Sequence, residues 1–202
     1  MNLHKVSTIQ NQISDILRTE IISGQLGVGD KLNEIELAKR FGVSRGPIRD
    51  VLLLLGKEGL TYTKGSSGTF ISDPLDNKTE KILCGIRLKL EEFSLKQLIN
   101  TATFKDLLDL ESIISRMDMY MSCGNKVDCV NTTIDFHKHC VELGGCSDIF
   151  NVWYPIIMRI HANMGLQCLD SFCLQNYLDL LDGLKRKDSH SAVIALKKIL
   201  KP

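Results

Sequence analysis

The sequence predicts a mainly α protein: an N-terminal winged helix-turn-helix of three helices plus a β-hairpin, then an all-α helical bundle. Three observations predict it. Apolar residues recur at helical spacing through most of the chain. A short helix, a tight glycine turn and a further helix follow one another between Asn33 and Gly59. Two β-prone runs then flank the polar stretch Lys64-Gly65-Ser66-Ser67-Gly68, a hairpin signal. A chain of 202 residues can hold two small domains, expected here over 1–73 and 79–202 with a linker at 74–78.

Each element has its own warrant. Ile13, Ile16, Leu17 and Ile21 form a helical stripe over 8–23, ended by Gly24, and GQLGVGDKL is a glycine-rich turn region. Asn33 is placed to cap a second helix, NEIELAKRF, with Glu36 completing a capping box and Gly42 stopping it. Gly42-Val43-Ser44 turns the chain into a third helix, which the Ser44 hydroxyl is expected to cap. Pro47 is harmless there, because first-turn N–H groups have no helical partner. Ile48, Val51, Leu52 and Leu55 give that helix its buried face.

After LTYTKGSSGTFIS and the linker-like Asp73-Pro74-Leu75-Asp76-Asn77, everything reads as helix. Ile82, Ile86, Leu90 and Phe93 make one stripe; Leu107, Leu110, Ile113, Ile114 and Met117 make another, capped by Thr103 with Asp106. A third helix runs from Lys126 to Leu143 and stops at Gly144-Gly145. A fourth, capped by Ser147, carries Phe150, Trp153, Ile157 and Ile160, and Pro155 should kink or restart it. Two more are expected around 171–185 and 189–200.

The net charge of +1 selects no class of partner, but local charge does. Between Lys39 and Lys64 lie six cations, Lys39, Arg40, Arg45, Arg49, Lys57 and Lys64, against Asp50 and Glu58. Arg45 and Arg49 share one face at the positive end of the third helix, a position that gains only from an anion. Such a helix fits the DNA major groove with its leading residues at base edges. Gly46 leaves no side chain to hold the backbone away, and the Ser44 hydroxyl and free N–H groups can take a phosphate. The wing tip, Lys64 to Gly68, is small enough to lie along a minor groove. Two arginines alone are often just a solvated face; the ordered set of short helix, glycine turn, arginine helix and Gly-Ser hairpin favours double-stranded DNA.

MNLHKVSTIQNQ has no apolar core, so no export signal or membrane span is expected and the location is taken as cytoplasmic. The seven cysteines, with no C-x-x-C pair, read as reduced thiols packed as small buried hydrophobes.

These residues also resemble a family. Leu17-Arg18, Ile21, Gly24, Leu26, Gly29, Leu32, Glu34, Leu37-Ala38, Phe41 through Arg49, Leu52, Leu55, Glu58-Gly59-Leu60 and Gly68 are similar to the N-terminal DNA-binding domain of GntR-type bacterial transcription regulators, over residues 8–72. The resemblance implies a homodimer on a short palindromic operator. It places Ser44, Arg45, Gly46 and Arg49 at recognition-helix contacts and Lys64, Ser66 and Gly68 in the wing. A basic contact early in the second helix is replaced by Ile35.

The helical half resembles the FadR-like FCD branch, through Arg87-Leu88-Lys89-Leu90-Glu91, Phe136-His137 and Gly144-Gly145. That implies dimerisation and a pocket for a small effector, with Arg87, His137 and Tyr177 as candidate contacts. The branch's divalent metal would need an Asp four residues before His137 and two later histidines. Here those positions are Thr133, Tyr177 and Ile199, while Asp135 falls on another face, so no metal is expected. His137 otherwise reads as a bundle polar group bonded to a neighbour such as Tyr177 or to water. Arg87, set in an apolar stripe, needs an anion, either Glu91 or a carboxylate effector. His161 reads as a bundle residue and His190 as a surface one. His139 and Cys140 point elsewhere than His137, which argues against a thiol or metal enzyme. The reading is therefore an effector-responsive DNA-binding regulator, not an enzyme. The alternative is a constitutive regulator with a decayed effector or metal site.

Overall fold

The computed structural model describes residues 8–170 and 172–200. The opening residues read for an export signal, the expected helix start at 171 and the last two residues lie in whole or part outside the described residues. The chain divides into two compact units, one running to Leu75 with His161–Gly165, the other comprising Asp76–Ile160 and the chain from Leu166.

In the first unit α1 (Ile9–Ile22) starts at Thr8, whose hydroxyl accepts from the Asn11 N–H. A two-residue strand β1 (Lys31–Leu32) precedes α2 (Glu34–Phe41) and α3 (Arg45–Lys57); β2 (Thr61–Thr63) and β3 (Thr69–Ile71) close the unit. The sheet is antiparallel in the order β1-β3-β2, with Lys31 and Tyr62 both opposite Phe70. The hairpin matches the sequence pattern. β1 does not, because two residues inside a glycine-rich turn become a strand only when β3 supplies the ladder.

Ile13, Leu17, Ile48, Leu55 and Leu60 are almost fully buried between the helices and the sheet. Ile16, read as part of the α1 stripe, is exposed, and Ile22 is buried instead. Arg18 grips Glu58 in a bidentate pair at 2.8 and 2.6 Å, tying α1 to the end of α3.

The second unit holds α4 (Asn77–Thr101), α5 (Phe104–Ser122), α6 (Lys126–Gly144), α7 (Ser147–Met164) as far as Ile160, α8 (Leu174–Lys185) and α9 (Ser189–Ile199). Helix α4 begins inside the stretch read as linker, because Asp76 caps it by accepting from the Lys78 and Thr79 N–H groups. Thr103 and Asp106 form the expected capping box of α5. Helix α7 is one helix through Pro155, with Ser147 as its first residue rather than its cap. Leu95, Leu98, Leu110, Met117, Phe136, Leu180 and Leu196 belong to one core cluster built from α4, α5, α6, α8 and α9. A Cβ on Gly144 would stand 1.9 Å from the Ser94 carbonyl oxygen, so only glycine lets α6 approach α4 this closely.

One amphipathic helix faces the opposite way from the sequence reading. Ile82, Ile86 and Phe93 of α4 are 63%, 40% and 48% exposed, and Leu90 is only partly covered. The buried face carries Arg87, Glu91, Ser94, Leu95, Leu98 and Ile99. The cysteines are not all the small buried hydrophobes that the sequence predicts. Only Cys129 and Cys140 are buried; Cys84 and Cys168 are half-buried, and Cys123, Cys146 and Cys173 are exposed.

Candidate nucleic-acid interface

Helix α2 ends at Gly42, which sits at φ 64° as a left-handed cap and lets the chain reverse within a few residues. At the other end of α2, Asn33 accepts from the Ile35 N–H, while its amide donates to the Glu36 carboxylate at 3.2 Å. The capping box therefore closes through side chains instead of the Asn33 backbone. Ser44 has the extended backbone of an N-cap (φ −72°, ψ 168°), but its hydroxyl makes no capping hydrogen bond, contrary to expectation. The first N–H groups of α3 thus lack a side-chain acceptor from Ser44.

Arg45 and Arg49 project from the leading turns of α3, with side chains 53% and 57% exposed. Gly46 between them is exposed, and a Cβ added there would meet nothing within 4 Å. Both guanidinium groups meet one acceptor, Oε2 of Glu34, the first residue of α2. Arg45 donates from Nη2 at 2.8 Å and from Nε at 3.3 Å, and Arg49 from Nε at 2.9 Å. Those bonds hold the Glu34 carboxyl below its usual range. Glu34 was visible in the sequence only as part of the family pattern; its pairing was not foreseen. Ile35, beside it, is exposed and offers no charge to an anion.

On the wing, the Lys64 carbonyl accepts from the Ser67 N–H and the Lys64 N–H donates to the Gly68 carbonyl, closing the Gly65–Ser67 turn, and Lys64, Ser66 and Gly68 all lie at or beside the tip. Tyr62 and Phe70 stack at 5.8 Å, and the Lys31 ammonium lies 6.0 Å from the Phe70 ring centre. The face therefore offers cations, backbone N–H groups and small wing residues, with Glu34 set between the two arginines.

The polar residues of the second unit converge on Glu91. Arg87 donates from Nε to its Oε1 at 2.7 Å, and Trp153 donates from Nε1 to the same oxygen at 2.8 Å. Nδ1 of His137 lies 2.7 Å from Oε2. Arg87, Glu91 and His137 are 8%, 4% and 3% exposed. Burial pushes the Glu91 carboxyl up, but Arg87 and His137 reverse this and hold it well below the usual carboxylate range. Burial pushes His137 down against the pull of Glu91.

Of the two anions considered for Arg87, the internal one is in place. His137 finds Glu91 rather than Tyr177, whose ring stands edge-on 5.9 Å away. Trp153 was read from sequence only as a core residue, since an indole in an apolar stripe does not announce its N–H partner. Thr133 spends its hydroxyl on the Val130 carbonyl at 2.7 Å, and Asp135 is exposed, 4.0 Å from Arg116. Among the described residues no three His, Cys, Asp or Glu side chains cluster as metal ligands. Burial drives the Cys140 thiol far up, the opposite of what a nucleophile needs.

Helix, turn, arginine-led helix and a three-stranded wing define a winged helix-turn-helix DNA-binding protein. Residues 9–71 match the family of bacterial regulatory proteins named gntR. The HTH-type transcriptional regulator YdhC of Bacillus subtilis (strain 168) is 29% identical over 160 residues, covering 79% of this chain and 71% of the relative. The HTH-type transcriptional repressor NagR of the same organism is 33% identical over 130 residues, 62% of this chain but only 51% of the relative. Escherichia coli McbR/YncC shares the fold across 96% of this chain and 94% of its own, with a TM-score of 0.79 at 20% identity. Residues 9–71 therefore carry the gntR-family domain, and the chain is a DNA-binding transcription regulator. The all-helical second unit falls within the fold shared with Escherichia coli McbR/YncC.

Proposed function

We propose that this regulator works in the cytoplasm as a homodimer on a pseudo-palindromic operator, has no enzymatic activity, and reads DNA through Ser44, Arg45, Gly46 and Arg49 with Lys64, Ser66 and Gly68 on the wing. Residues 1–73 form the reading domain and 79–202 the dimerisation and effector domain, joined at 74–78. The observation that carries this is the leading end of α3: two arginines more than half exposed, flanking a glycine with open space above it. Dimerisation is supported by the outward stripe of Ile82, Ile86 and Phe93 on α4, which water covers at a cost that a second copy would remove. Selection of duplexes from a random-sequence pool tests the reading. The enriched sites should be two-fold symmetric, and footprints should cover both halves. Enrichment of an asymmetric site by a monomer would overturn it.

Effector response rests on Arg87, His137 and Tyr177. One observation favours the constitutive alternative: Glu91 already meets Arg87, His137 and Trp153. Calorimetry with small carboxylates and divalent metals separates the two. Heat of binding with a change in operator affinity supports an effector site; silence with every probe supports the constitutive regulator.

A further inference from the structure

Glu34 is an anion in the middle of a surface meant for a polyanion. It is not there by default of space, since its side chain is 31% exposed and its neighbours on that face are open. Its position at the start of α2 favours a carboxylate electrostatically. From there Oε2 accepts from three donors on two arginines. Nη1 of Arg45 and both terminal nitrogens of Arg49 stay outside this junction.

The consequence for binding is asymmetric. Attraction to phosphate depends on net charge, and one carboxylate cancels one of the two guanidinium charges. Base-edge recognition depends on donors at fixed positions, and the outward N–H groups remain available while the junction fixes the planes that carry them. Glu34 therefore weakens contact with any duplex and leaves contact with the right base edges. Building on the DNA-reading face proposed above, we propose that Glu34 is a specificity-determining residue: it aligns Arg45 and Arg49 and screens them from phosphate, so that the regulator discriminates by sequence.

The test uses the full chain, a duplex selected by the wild-type protein, and the unselected random-sequence pool. Glu34→Gln keeps the shape and hydrogen-bonding oxygen but drops the charge. It should bind the pool more tightly, steepen the logarithmic salt dependence on the pool by about one, and lower the selected-to-pool affinity ratio about tenfold. Glu34→Asp, which keeps the charge, should recover part of the ratio. In an Arg45→Ala/Arg49→Ala background, adding Glu34→Gln should leave the ratio where it was.

A ratio equal to wild type in Glu34→Gln, or an equal loss on both duplexes, overturns the proposal. So does a fall in the ratio that persists without the arginines. If Arg45→Ala/Arg49→Ala itself binds the selected duplex as wild type does, the reading face is misplaced and both ideas fall. If that variant loses binding while Glu34→Gln keeps the wild-type ratio, only the role of Glu34 falls.

Discussion

Glu34 and Glu91 each draw nitrogen donors from other side chains onto one carboxylate, yet they sit in opposite surroundings. Arg45 and Arg49 stay more than half exposed around Glu34, whereas Arg87 and His137 are almost out of water around Glu91. Water screens the first junction, so making or losing it changes little folding free energy. In the second, each group has given up its hydration, and none can leave without stranding the others. The same ion-pair chemistry gives a screened contact at the surface and a buried strut in the bundle.

The largest expected effect strikes the strut. Glu91→Ala should destabilise the helical unit by about 3–5 kcal/mol by leaving Arg87 buried and unpaired. Trp153, the single tryptophan and itself bonded to Glu91, reports this directly in urea unfolding. A loss no greater than that of an exposed pair would erase the contrast.

Acid should act on the same cluster. His137 and Glu91 both have folded pKa values below their ordinary 6.5 and 4.5, so the unfolded chain takes up their protons first. Stability is whole above pH 6.5, declines below it through His137, and declines again below 4.5 through Glu91. Unfolding free energy that stays flat across both steps would show that burial does not control these groups.

Next in size are the readers. Arg49→Ala should weaken binding to a selected duplex by about 1–3 kcal/mol, while Lys64→Ala should weaken all duplexes alike and reduce the salt slope by about one. Wild-type affinity in Arg49→Ala would place the reading face elsewhere. The smallest effect is on folding at the exposed junction: Glu34→Gln should shift the unfolding free energy by less than about 1 kcal/mol, measured in the same urea titration.

The reading helix was legible because every local signal agreed. Gly42, Pro47 and the spacing of Ile48, Val51, Leu52 and Leu55 all fix its start and its buried face. The stripe of α4 was misjudged for a physical reason. Periodicity tells which residues share a face but not which face turns inward, and here Ser94 and a charged cluster take the inside. The Glu34 junction escaped because it joins residues 11 and 15 apart across a turn whose angle no pattern supplies. The polar cluster was half legible: Arg87 demanded an anion, Glu91 stood one turn on, and Trp153 came from a helix 62 residues away from Glu91. Cysteine exposure was missed because a thiol fits either environment.

The contact at Gly144 restricts how the bundle can move. Where two helices meet backbone to backbone, a slide by one turn would drive Cβ-bearing residues into the Ser94 carbonyl. The contact therefore pins the register of α4 against α6.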